Sequence, residues 1–105
     1  MAYGTAMTGT TISTAGLDPR RRRALYQAWH RGMREMDILL GQFADAKIAA
    51  MSDDDLDAFE MLLSAVPDRD LLGWFTGEWP VDPVYNTPIW QALVSFHTHD
   101  GPIHV

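Results

Sequence analysis

Five short apolar stripes at helical spacing, each cut off by proline, glycine or a capping side chain, leave this chain few architectures to choose from. Met36, Leu39, Leu40, Phe43 and then Ala46 or Lys47 recur at a period of about 3.6, which makes one face of that segment apolar. Leu56, Phe59, Leu62, Leu63 and Val66 repeat the pattern further on. No stretch alternates between apolar and polar residues for long enough to make a sheet. The expectation is an all-α fold, a five-helix bundle.

Boundary signals place the helices. Asp18 and Pro19 suit the N-cap and first helical position, where a missing N–H costs nothing. Leu25, Ala28 and Trp29 form the first stripe, flanked by Tyr26, and Gly32 ends that helix. The second runs from about Met33 to Ala50. Ser52 caps the third, with Asp55 as its capping-box partner, Met51 stapling onto Leu56 and Pro67 ending the helix. Asp68 caps a short fourth helix bearing Leu71, Leu72, Trp74 and Phe75, and Gly77 suits its C-terminal turn. A connector with Pro80 and Pro83 leads to Thr87-Pro88, which opens a last helix with Ile89, Trp90, Leu93 and Val94. Leu25, Trp29, Leu39, Phe43, Phe59, Leu63 and Trp74 are the expected core.

Residues 1–16 are mostly Thr, Gly, Ala and Ser and have too little to bury to offset the entropy of ordering. The expected organisation is a disordered leader over 1–17, one helical domain over 18–98 and a flexible tail over 99–105. A length of 105 residues fits a single domain, and a hydrophobic fraction of 47% is enough for a packed core.

Charge narrows the function classes. The net charge of −6 argues against general nucleic-acid binding. Residues 1–34 nevertheless carry six basic groups and one acid, while residues 35–105 carry two basic and thirteen acidic groups. A field this polar can steer and orient a protein partner. With no cysteine, disulfides, thiolate nucleophiles and Cys-ligated zinc are excluded. No apolar run approaches the ~20 residues that span a bilayer. The N-terminus lacks a charged region followed by an apolar core, and no Arg precedes Arg20. These readings point to the bacterial cytoplasm.

Candidate chemistry is sparse. Asp53, Asp54, Asp55, Asp57 and Glu60 lack the spacing of a calcium loop and sit where acids favour a helix start. His97, His99 and His104 could ligate a metal, but no further ligand is fixed and a solvated tail is the reading adopted. His30 has no base or nucleophile beside it. Trp74, Phe75, Trp79 and Trp90 read as core aromatics. The run Arg20 to Arg23 is either a grip for an acidic surface or phosphate, or a solvated helix start. Four cations are poorly placed there, because the positive end of the helix dipole repels them.

The segment Arg31-Gly32-Met33-Arg34-Glu35 stands out. A glycine within a helix costs about 1 kcal/mol relative to alanine, yet Gly32 lies between two strongly helical stretches. It reads as a helix-end residue needing positive φ. Arg31 then closes one helix and Glu35 opens the next, so their heads form either a partner-facing corner or an ion pair across the turn.

At these residues the chain resembles the succinate dehydrogenase flavinylation factors, also called FAD assembly factors. The resemblance covers roughly residues 18–96. Its signature is Arg-Gly-x-x-Glu followed by Asp, here Arg31, Gly32, Glu35 and Asp37. Leu40 and Phe43, the Leu72-x-Trp74-Phe75 element with Gly77, the Pro80-x-Asp82 connector and an upstream Arg22-x-x-x-Tyr26 also match. The resemblance implies a five-helix protein, not an enzyme and monomeric alone. It implies a partner in the flavoprotein subunit of succinate dehydrogenase or fumarate reductase. It implies further that the chain promotes covalent attachment of FAD held by that partner and binds no cofactor stably itself. Carried onto this chain, Arg31, Gly32, Arg34, Glu35 and Asp37, with Arg23 upstream, form the partner-binding surface. The alternative is a helical regulatory module that binds a protein through the basic Arg20–Arg34 face. Positions 28–30, Ala-Trp-His, are less basic and polar than in many members of that family.

Overall fold

The computed structural model describes residues 16–98, and the expected leader and tail, with His99 and His104, lie almost wholly outside them. Among the described residues the chain is all-α: α1 Pro19–Trp29, α2 Arg34–Lys47, α3 Asp53–Ala65, α4 Asp68–Thr76 and α5 Pro88–Thr98. Short 3-10 turns follow α2 at Ile48–Ala50 and precede α5 at Pro83–Tyr85. The five expected helices are present and no described residue is in a strand. The chain divides into two compact units at Ala49–Ala50.

In the first unit α1 and α2 pack on each other. Ala24, Leu25 and Ala28 of α1 are buried, as are Met36, Leu39, Leu40, Phe43 and Ala44 of α2. Fully burying a Leu or Phe contributes about 1.5–3 kcal/mol, so this pair of stripes is the main cohesive force of the unit. Asp18 caps α1 as expected, its carboxylate accepting the Arg21 N–H at 3.2 Å. The end of α1 differs from expectation. The helix stops at Trp29, and His30, Arg31, Gly32 and Met33 form a non-helical corner before α2 begins at Arg34. Gly32 has φ +91° inside that corner, so it makes the turn rather than ending the helix directly.

In the second unit α3 and α5 pack together around Leu56, Phe59, Leu62, Leu63, Ile89, Trp90 and Leu93. Ser52 caps α3 by accepting the Asp55 N–H at 3.1 Å, and Met51 and Leu56 are both buried. Asp68 is the first residue of α4 and not its cap; that position falls to Pro67, whose extended backbone carries no side-chain acceptor. Asp68 and Asp70 instead lie in the first turn, where the dipole favours them. Gly77 closes α4 in the left-handed conformation, φ +81°. Thr87 caps α5, its hydroxyl accepting the Trp90 N–H at 3.2 Å.

Two expected burials and one expected exposure need correction. Trp29 is only half-buried, as the last residue of α1 with its indole against Gly41 of α2. Trp74 is half-buried as well, packed beside Tyr85 and edge-on to Trp90 at 6.0 Å. His97, expected in a solvated tail, is instead 5% exposed. It continues the α5 stripe one turn beyond Leu93 and meets the rings of Phe75 and Phe96 edge-on at 5.9 and 4.9 Å.

Candidate partner-binding site

The corner between α1 and α2 is organised by one carboxylate. Asp37 Oδ1 accepts the backbone N–H of Arg31 at 2.6 Å, reaching back from the first turn of α2. No side chain caps α2 at Met33, so Asp37 serves instead by tying the incoming strand of chain to the helix it precedes. A charge-assisted bond of this kind is stronger than a neutral one. Glu35 and Asp37 also place negative charge at the positive end of the α2 dipole.

Gly32, Arg34 and Glu35 are exposed on this corner, while Arg31 and Asp37 are half-buried. Space is open around Gly32: a β-carbon built there meets no atom within 4 Å. Its glycine identity therefore comes from the positive φ and not from crowding within the chain. A partner backbone could approach this point closely. The corner can thus present a carboxylate, a guanidinium and bare main chain together, a set suited to recognition rather than bond chemistry.

A second device holds the corner from behind. The Trp29 indole lies over Gly41 in the middle of α2, so close that a β-carbon on Gly41 would stand 2.3–2.6 Å from three ring atoms. The indole Nε1–H donates a long hydrogen bond, 3.4 Å, to Asp45 Oδ1. Neither Gly41 nor Asp45 is among the sequence-predicted site residues. The legible signal for Gly41 is a glycine in the middle of a strong helical stripe, a position that costs about 1 kcal/mol without a packing reason. The second unit repeats the device, with the Trp79 indole against Gly73 of α4 and Arg69 over that ring at 5.8 Å.

The arginine run is divided in its duties. Arg21 pairs with Asp18 at 2.9 Å and donates through Nε to the Ile48 carbonyl at 3.1 Å. Its hydrogen bond to Asp18 is the main cause holding that carboxyl below the ordinary aspartate range. Arg22 donates to the Leu17 carbonyl. Arg21 and Arg22 thus have local structural partners despite the unfavourable dipole. Arg23 is exposed. The basic Arg20–Arg34 face is therefore not a uniform groove, which weakens the regulatory-module reading. Among the described residues no three His, Asp or Glu side chains are grouped as metal ligands, and no helix is long and apolar enough to cross a membrane.

Comparison with known proteins agrees with the corner motif. A family model described as "flavinator of succinate dehydrogenase" matches residues 22–97. An FAD assembly factor of Acetobacter pasteurianus is 35% identical over 83 residues, covering 79% of this chain and 75% of that protein. The mitochondrial succinate dehydrogenase assembly factor 2 of Caenorhabditis briggsae is 39% identical over 93 residues, 87% of this chain and 76% of its own length. Its counterpart in Drosophila grimshawi is 37% identical over 78 residues, 73% of this chain but only 53% of that relative, so the chain spans about half of it. No solved structure matches. The matched span takes in the α1–α2 corner and every helix but the first turn of α1 and the last residue of α5, and on that span this chain belongs to the family of succinate dehydrogenase flavinylation assembly factors.

Proposed function

We propose that this chain binds the flavoprotein subunit of succinate dehydrogenase, or of the related fumarate reductase, and promotes covalent attachment of its FAD. The observation that carries the reading is the pre-formed corner. Gly32 is exposed at φ +91°, between the Arg31 N–H held by Asp37 and the exposed heads of Arg34 and Glu35. A rigid, part-polar corner loses little conformational entropy on docking, which favours binding. The factor acts without being an enzyme. It supplies orientation, holding the client where the bond forms, while the flavin and its protein supply the chemistry. It binds no cofactor stably, and it works as a monomer in the bacterial cytoplasm.

The test is to produce the client subunit with and without this chain and measure protein-bound flavin fluorescence after denaturing electrophoresis. Covalent flavin that rises several-fold with the chain present supports the reading. Equal flavin in both, with folded client and FAD supplied, rejects it.

A further inference from the structure

The exposed side of α1 carries a feature that helix formation does not require. Tyr26 is 51% exposed, and its ring lies parallel to that of His30, with centroids 3.9 Å apart and planes within 14°. His30 Nδ1 lies 2.8 Å from the Tyr26 carbonyl oxygen. A carbonyl oxygen only accepts, so Nδ1 is the donor and carries the proton. Stack and hydrogen bond together hold both rings in one arrangement on the surface. Among the described residues Tyr26 is the exposed large apolar side chain of the first unit.

Its neighbours share the face. Arg23, Tyr26 and Gln27 are exposed on α1 and His30 is exposed at its C-cap, whereas Ala24, Leu25 and Ala28 face the core. The ridge runs directly into the exposed Gly32 and Arg34 of the corner. An aromatic already fixed in place loses little rotamer freedom when a partner covers it, and Tyr is among the residues enriched at binding hot spots. The flanking Arg23 and Arg34 set the sign of the complementary charge.

We infer that the Tyr26–His30 stack is a docking anchor, continuous with the Arg31–Glu35 corner, for a carboxylate-bearing surface of the protein client. The inference rests on the proposed function, because the client is the same flavoprotein subunit. Tyr26 supplies the apolar area, His30 holds its ring upright, and Arg23 meets acidic groups on the client.

The test measures binding of the purified flavoprotein subunit to the full chain and to Y26A, Y26F and R23Q, with melting curves for each. Because Tyr26 is exposed, Y26A melts like the parent chain. It binds at least about tenfold more weakly, as hot-spot truncations do, while Y26F, which keeps the ring, binds as the parent does. R23Q binds more weakly at low salt and shows a shallower dependence on salt, since exposed charge pairs are screened. Y26A that binds as tightly as the parent, beside E35A that binds weakly, rejects the anchor and leaves the corner standing. Y26A that fails to fold also rejects it, in favour of a structural stack. A parent chain that does not bind the subunit at all rejects both the anchor and the proposed function.

Discussion

The Trp29 indole stands where a side chain on Gly41 would begin, with ring atoms 2.3–2.6 Å from the position of its β-carbon. The last residue of α1 is thereby laid against the middle of α2, a contact that adds to the Asp37–Arg31 hydrogen bond at the corner between the helices. Ordinarily Gly→Ala inside a helix stabilises by about 1 kcal/mol. Here Gly41→Ala should destabilise, because overpacking a fitted contact typically costs about 1–3 kcal/mol. Urea melts give the comparison, and the double variant W29A/G41A should recover most of the helix while losing the fixed corner. A more stable single variant would show that the indole moves aside freely.

Glu35 and Asp37 are two residues apart and should behave differently. Glu35 is exposed in the first turn of α2, so Glu35→Ala should change stability by no more than about 0.5 kcal/mol. In the client it should nevertheless leave less covalent flavin. Asp37→Ala removes the acceptor of the Arg31 N–H and should cost about 1–2 kcal/mol. Its loss of function would then track its loss of stability. Melting temperature plotted against covalent flavin for the two variants separates contact from support.

Acid should weaken the start of α1 through Asp18. The Arg21 side chain, hydrogen-bonded to Asp18, is the chief cause of a folded-state pKa below the ordinary one. A carboxyl of this kind contributes stability that is present above its unfolded pKa and lost as pH falls through the folded pKa. Asp18→Asn keeps a capping oxygen but cannot be ionised. The stability difference between the parent and this variant should therefore be constant near neutrality and shrink as pH drops below about 4. Urea midpoints at a series of pH values measure it, and a difference unchanged by acid would show that Arg21 does not favour the ionised form.

Much of the fold was legible because local signals agreed. Ser52 with Asp55, Thr87 with Pro88 and the stripe from Met36 to Phe43 all say helix, and helix follows. The corner was legible for a different reason, as a glycine that propensity alone could not explain. What sequence left unread are relations across space. Asp37 bonding back to Arg31, Trp29 over Gly41 and the Tyr26–His30 stack each depend on where a side chain turns once the backbone is fixed. Helical spacing alone puts Trp29 and Trp74 on the core stripes, yet an indole at a helix end or beside a connector is covered only in part. His97 was readable in principle, since it extends the spacing of Ile89 and Leu93, but its place near the chain end suggested a solvated tail.

Gly32 allows the two meanings of a glycine to be separated. At φ +91° an L-residue is strained, and Gly32→Ala should cost roughly 1–2 kcal/mol for that reason alone. Gly32→Val adds bulk to the same strain and should be worse in both stability and docking. A D-alanine at this position, introduced by chemical ligation of the chain, is the sharper probe. Positive φ is comfortable for a D-residue, and replacing glycine also narrows the unfolded ensemble, so stability should match or exceed the parent by about 0.4–1 kcal/mol. Its methyl group would still stand on the exposed surface where the partner backbone is expected. If the corner works by close approach, the D-alanine protein melts at or above the parent temperature and yet supports less covalent flavin in the client. Full activity in that protein would reduce Gly32 to a turn-former and move the contact to the flanking Arg34 and Glu35.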